Sequence, residues 1–172
     1  GLAVTVHGSF WDLNPASHHR TVWELSLKQS KSSIEACRVL GGNLVVLHPG
    51  RVTVPETEWF AEMARKSYLT ALKECLASAS DRGIMIALEN MNYSYYLYQS
   101  LDELDELVGG HDGLGICLDI AHAYRGMRTQ KLSHPESKIS RSVKRLGRKI
   151  VHVHIHDNRG NADEHLIPGE GS

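Results

Sequence analysis

Residues 150–157 read Ile150-Val151-His152-Val153-His154-Ile155-His156-Asp157, a β-branched run in which every second position from 152 to 156 is histidine. A strand turns successive side chains to opposite faces, so His152, His154 and His156 share one face and Val151, Val153 and Ile155 the other. Four further β-rich apolar runs precede it, at residues 2–6, 44–47, 84–88 and 115–118, and the fifth strand is expected over 150–155. Each run ends in a metal-capable side chain: Val6-His7, Leu47-His48, Leu88-Glu89, Leu118-Asp119 and, in the last, His154. The separations from His7 through His48, Glu89 and Asp119 to His154 are 41, 41, 30 and 35 residues, about one strand-plus-helix unit each.

Segments of helical period lie between these runs. Val22, Leu25, Ile34, Cys37 and Leu40 are placed to line one or two helices ended by Gly41-Gly42. Pro55 is read as opening a long helix whose apolar stripe is Phe60, Ala64, Tyr68, Ala71, Leu72, Cys75 and Ala79, closed by Asp81-Arg82-Gly83. Ser100 and Glu103 form a capping-box pattern ahead of Leu101, Leu104, Leu107 and Val108. A last helix over 135–147 sets Ile139, Val143, Leu146 and Ile150 against a basic face of Lys138, Arg141, Lys144, Arg145 and Arg148, read as a solvated surface. Strict β-α alternation implies right-handed crossovers and a parallel sheet. Two architectures fit, a five-stranded doubly wound sheet or five consecutive units of a (β/α)8 barrel. No GxGxxG or GxxxxGK[ST] pattern follows any strand, which removes support from the nucleotide-binding versions of the first.

The composition bounds the rest. The 172 residues are 41% hydrophobic and 23% charged, with a formal net charge of −1. That balance describes one α/β domain over residues 1–172, and argues against disorder and against a non-specific, charge-driven nucleic-acid binder. No stretch approaches the ~18 apolar residues of a membrane span, and the opening GLAVTVHGSF lacks the form of a signal peptide. Cys37, Cys75 and Cys117 are widely spaced in apolar segments and read as buried, reduced thiols, which leads to the expectation of a cytoplasmic protein. The excess is in histidine, 11 residues against 2 Phe.

A single histidine at a strand end is ordinarily a satisfied polar residue. Glu89 after Ile-Ala-Leu and Asp119 after Ile-Cys-Leu are different, because a carboxylate in an apolar setting needs a cation or several donors. Five such endings in succession point to a divalent metal site of Zn, Mn or Mg type at the carboxyl end of the sheet. His154 is the expected ligand of its strand, His152 lies deeper, and His156 is placed to reach substrate. Asp163 and His165 add a D-x-H pair in the following loop.

The segments VHGSF (6–10), VVLHPG (45–50), IALENM (86–91), GICLDIAHA (115–123) and HVHIHDNRGNADEHLIPGEG (152–171) resemble the xylose isomerase-like TIM-barrel superfamily, over essentially the whole chain. That superfamily contains the sugar-phosphate isomerases and epimerases and the endonuclease IV enzymes. The endonuclease pattern implies one zinc on His7 and His48, Glu89 bridging to a second served by Asp119 and His154, and a third on His122, Asp163 and His165. The isomerase pattern implies one divalent ion on Glu89, Asp119 and His154, with Glu89 doubling as acid/base and His7, His48 and His165 as substrate-binding or residual groups; His156 is expected as a second catalytic group and Asn90 and Asp157 as substrate-binding residues. Both patterns take another glutamate from the closing strand of the barrel.

Several departures oppose the endonuclease pattern. MNYSYY follows Glu89-Asn90 in place of a Thr- and Gly-rich continuation, Ile-Ala-His follows Asp119 in place of Thr-Cys-His, and the link from His156-Asp157-Asn158 to Asp163 is short. Tyr93, Tyr95, Tyr96 and Tyr98 are candidates either for stacking a sugar or base or for loop packing. The expectation is therefore a metal-dependent isomerase or epimerase acting on a sugar or sugar phosphate. The alternatives are a trinuclear-zinc enzyme cleaving DNA at abasic sites and a catalytically silent metal-binding relative. A complete barrel needs roughly 200–250 residues, so the five units are expected to be strands three to seven of eight, a partial barrel whose last ligand is missing.

Overall fold

The computed structural model describes residues 2–160 and 162–171. Five strands, β1 (Thr5–His7), β2 (Leu44–Leu47), β3 (Met85–Glu89), β4 (Leu114–Asp119) and β5 (Ile150–His154), pair in parallel in the order β1-β2-β3-β4-β5. This order decides between the two architectures. A doubly wound sheet reverses its winding at a switch point, whereas here every crossover advances in one direction, as in a (β/α)8 barrel. The described residues form a five-strand arc of such a barrel, with β1 and β5 at its edges.

The pairing register sorts the strand residues into two faces. Outward, Val45, Ile86, Leu88, Ile116 and Leu118 enter the main core beneath the helices. Inward, Leu44, Val46, Ala87 and Cys117 form a second apolar cluster with Val151 packed against it. With a side-chain period of two, the next inward position after each of Val46, Ala87 and Cys117 is His48, Glu89 and Asp119. The metal-capable residues are thus the row of inward side chains immediately above the apolar floor. A register shift between Ile116 and Cys117 sets Val151 as an extra residue in β5 and keeps His152 level with Cys117 and His154 level with Asp119. Gly115 makes room for it: a Cβ there would lie 2.4 Å from Val151 Cγ2.

The helices are α1 (Arg20–Val39), α2 (Glu58–Ser80), α3 (Leu101–Gly109), α4 (Ile120–Thr129) and α5 (Pro135–Leu146), the last followed by a 3-10 turn at Gly147–Lys149. Three features depart from the sequence expectation. The buried face of α1 is Ser26, Ser30, Ser33, Ile34 and Cys37, while Leu25 and Leu40 are 48% and 62% exposed. Each serine hydroxyl donates to the carbonyl four residues back, at 2.7 Å for Ser26, 3.0 Å for Ser30 and 3.0 Å for Ser33, so small polar side chains line an interior face with their donors satisfied. Ser26 and Ser33 also accept from the amides of Asn14 and Ser9, fixing the loop after β1. Helix α4, which the Gly- and Arg-containing segment concealed, starts directly from the metal row: Asp119 ends β4 and caps α4 by accepting from the His122 amide at 2.7 Å. Helix α5 buries only Pro135 and Leu146, a narrower stripe than expected.

Other expectations hold. The Ser100–Glu103 capping box closes reciprocally, and α2 buries Ala61, Ala64, Tyr68, Ala71, Leu72, Cys75 and Ala79 with Phe60 half-buried, although it begins at Glu58 behind Thr57 and leaves Pro55, expected to open it, in the preceding turn. No described helix is long and apolar enough to cross a membrane. Replacing Gly115 by Ala is expected to destabilise the protein by about 1–3 kcal/mol through the clash with Val151, and Val151→Ala in the same chain should recover part of the loss. Urea unfolding of the two single variants and the double variant checks this, because independent sites would show no coupling.

Candidate metal centre

Glu89, at the carboxyl end of β3, is 2% exposed and no described Lys or Arg nitrogen lies within 4.0 Å of its carboxylate. Its neighbours are imidazoles on two sides. Oε2 faces His48 Nε2 at 3.2 Å and His7 Nε2 at 3.4 Å, and Oε1 faces His154 Nδ1 at 3.2 Å and His122 Nδ1 at 3.3 Å. Asp119, equally buried, lies on the Oε1 side, its Oδ2 3.8 Å from His154 Nδ1 and 3.7 Å from His122 Nδ1. Two nitrogen or oxygen ligands about 2.1 Å from a shared tetrahedral ion stand about 3.4 Å apart, the spacing seen here. His7, His48 and Glu89 form one donor set, and Glu89, Asp119 and His122 a second, with Cys117 and His154 beside Glu89 in another combination.

A further set lies beyond His122. Its Nε2 is 2.9 Å from Asp163 Oδ2, and Asp163 Oδ1 is 3.4 Å from His165 Nε2 and 4.0 Å from His156 Nε2. Asp163 Oδ1, His48 Nδ1 and His156 Nδ1 are buried without a hydrogen-bond partner, an uncommon state for buried polar atoms. His165 is held with φ +53, in the left-handed region that a side chain ordinarily avoids, and its ring stacks on His156 at 3.9 Å. Imidazole and carboxylate donors, close spacing and orphaned atoms fit divalent ions of the Zn or Mn type.

The same geometry sets the electrostatics. Burial pushes the Glu89 carboxyl up, but contacts from His122, His154, His48 and His7 override it and hold the group far below the usual carboxylate range. Burial pulls the His122 imidazole down, yet Asp163, Glu89 and Asp119 raise it to about 10. His7 is raised chiefly by its contact with Glu89.

All eight residues expected as metal ligands therefore come together, His7, His48, Glu89, Asp119, His122, His154, Asp163 and His165. The other expected site residues are placed as follows. His156 Nε2 lies 2.9 Å from Asp119 Oδ2, at the rim of both inner sets. Asn90 is fully taken up in joining β3 to β4: its amide donates to Asp119 O at 3.0 Å and its Oδ1 accepts from Asp119 N at 2.8 Å. Asp157 accepts from the amides of Asn158, Gly169 and Gly171, stapling the loop that carries Asp163 and His165. Cys117 lies one row below Asp119, its thiol pushed up by burial and by the charges of Glu89 and Asp119. Phe10 was not singled out from sequence. Its ring lies 4.4 Å from His48 and 5.3 Å from His7, beside Trp11, which is 81% exposed. Of the tyrosines, Tyr96 faces His48 at 6.3 Å, Tyr98 packs on Tyr68, and Tyr93 stacks on Tyr95.

A family model described as xylose isomerase-like TIM barrel matches residues 1–172, and the chain belongs to that family. It is 36% identical over 174 residues to the uncharacterized protein MJ1311 of Methanocaldococcus jannaschii, covering 99% of this chain and 57% of that protein. It is 28% identical over 155 residues to the probable endonuclease 4 of Thermotoga neapolitana, covering 86% of this chain and 51% of that one. The crystal structure of a D-tagatose 3-epimerase-like protein superposes with a TM-score of 0.84 at 34% identity, over 99% of this chain and 62% of that one. The chain spans about half the length of the curated relatives it matches.

With His122 raised to about 10 and His7 raised by its contact with Glu89, protons are held more tightly in the metal-free site, and a ligand nitrogen must lose its proton to bind an ion. Metal loading at pH 7 is expected to release protons, and affinity to rise with pH up to about 10. Calorimetric titration of the metal-free protein in buffers of different ionisation enthalpy measures that release. A value of zero would contradict the arrangement.

Proposed function

We propose that this chain supplies most of the active site of a divalent-metal-dependent isomerase or epimerase acting on a sugar or sugar phosphate. The observation that carries the reading is the convergence of Glu89, Asp119 and His154 at the ends of three adjacent strands, with His154 Nδ1 3.2 Å from Glu89 and 3.8 Å from Asp119. An ion held there supplies Lewis acidity toward a hydroxy-carbonyl substrate. The chain's own groups do the rest. Glu89 is held so firmly anionic that its first task is charge, not proton exchange. His156, with Nε2 2.9 Å from Asp119 Oδ2 at the rim of the inner sets, is the group assigned to take and return a proton. Phe10 and Tyr96 wall the His48 side with ring faces suited to a sugar.

The substrate is read as small because Arg51, Arg125 and Arg159, on the strand-end loops and α4, are already engaged. Arg51 donates to Leu13 O at 2.8 Å, Arg125 lies 4.4 Å over the Tyr93 ring, and Arg159 pairs with Glu164 at 2.7 Å. A duplex backbone asks for several free cations. The structure named D-tagatose 3-epimerase-like, at 34% identity, supports the same reading.

A second reading, hydrolysis of DNA at abasic sites, is favoured by one observation: the His122–Asp163–His165 set completes three donor groups bridged through Glu89 and His122. The probable endonuclease 4 relatives support it. Proton exchange separates the two. The full-length protein is expected to exchange the hydrogen beside the carbonyl of ketoses or ketose phosphates for deuterium from D2O. Absence of exchange together with incision of abasic-site DNA would replace the first reading by the second. Glu89→Gln should lower turnover by more than ~10²-fold under either reading, whereas Asp163→Ala, which removes a donor found only in the outer set, collapses activity only if that set serves catalysis.

A further inference from the structure

Away from the metal row, a cleft of about 680 Å³ opens between the start of α3 and the α4–α5 pair. Its walls come from the segment after β3 and from α3, α4 and α5, and none from the edge strands β1 and β5. The volume falls in the range of small-molecule sites. Its inner end is made by Asn90 and His122, so the cleft lies behind the ring of a candidate metal ligand.

Three observations bear on what it holds. Asn92 lines the cleft, is 8% exposed, and neither its Oδ1 nor its Nδ2 has a hydrogen-bond partner. A buried amide left unpaired on both atoms costs stability unless a ligand supplies a donor and an acceptor. Its backbone is fixed in place, since Arg125 donates to the Asn92 carbonyl at 3.3 Å. On the opposite wall, Lys138 and Arg141 of α5 face the cleft with no described carboxylate within 4.0 Å of either. The remaining charges there cancel locally, because Arg145 pairs with Asp102 and Asp105. Met91, Leu101 and Met127 also line the cleft and give it an adaptable apolar surface.

We propose that this cleft binds a small organic phosphomonoester, with Lys138 and Arg141 taking the phosphate and Asn92 pairing with a donor–acceptor edge on the organic body. Arg and Lys together suit a doubly charged oxyanion. A nucleoside monophosphate and a sugar phosphate share this chemistry, and the cleft is large enough for either. The site does not depend on the reaction carried out at the metal centre.

Calorimetric titration of the full-length protein, as purified, with adenosine 5′-monophosphate and with ribose 5-phosphate tests the proposal. At least one is expected to bind saturably, at least tenfold more tightly than its dephosphorylated counterpart and than inorganic phosphate. Preference for the nucleotide assigns the body to a base on the methionine wall; equal binding assigns it to the sugar. The variant Lys138→Glu with Arg141→Glu should weaken binding at least tenfold with metal content unchanged. Asn92→Leu should weaken it without loss of thermal stability, since it removes two unpaired atoms. Failure of both ligands to bind, inorganic phosphate binding equally well, or affinity unmoved by these variants would overturn the site. A missing isomerase activity would leave these titrations unaffected, so the two proposals fail separately.

Discussion

The carboxylate of Glu89 sits at the top of a closed apolar layer, in a place where an isolated negative charge is among the most costly groups a protein can bury. Hydrophobic packing fixes that position: Ile86 and Leu88 are held in the core beneath the helices, and alternation then forces Ala87 and Glu89 inward. Four imidazoles compensate the charge, two on each oxygen, and they arrive from β1, the β2 end, the first turn of α4 and β5. Every neighbouring element is therefore constrained by one group. The loop after β1 is tied to serines of α1, α4 is capped by Asp119 with His122 in its first turn, and Asp157 staples the loop that carries Asp163 and His165.

A charge so arranged makes a site that is preorganised for cations. In the metal-free state His122 and His7 answer the carboxylates by holding their protons more tightly, and an ion bound there would exchange with those protons. His122 has the most connected position. Its Nδ1 lies 3.0 Å from the Asn90 carbonyl and 3.3 Å from Glu89 Oε1, its Nε2 2.9 Å from Asp163 Oδ2, and the residue also lines the α3–α4–α5 cleft. The strand-end site and the cleft thus share His122 as a common wall.

The sequence made the metal row legible because strands announce themselves by β-branched runs and because the inward position after each run is set by simple alternation. The five endings, from His7 to His154, could be counted before any helix was placed, and all eight ligand candidates meet in space. What stayed hidden depends on contacts that no periodicity records. The buried face of α1 is written in serines whose hydroxyls bond to their own helix, while the apolar periodicity points to Leu25 and Leu40, which face outward. The β5 bulge depends on the missing side chain of Gly115 meeting Val151. Asn90 and Asp157 stand beside ligands in sequence, but their oxygens are already used by backbone amides. Asn92 gives no signal at all in sequence, since an unpaired amide is a property of its surroundings.

The account turns on cations gathering at both oxygens of Glu89, and anomalous X-ray scattering from crystals of the full-length protein measures this directly. It predicts anomalous density within bonding distance of Oε2, beside His7 and His48, and of Oε1, beside His154 and Asp119, with both features lost in Glu89→Gln. A fully metal-loaded crystal in which no ion lies within bonding distance of Glu89 would contradict it.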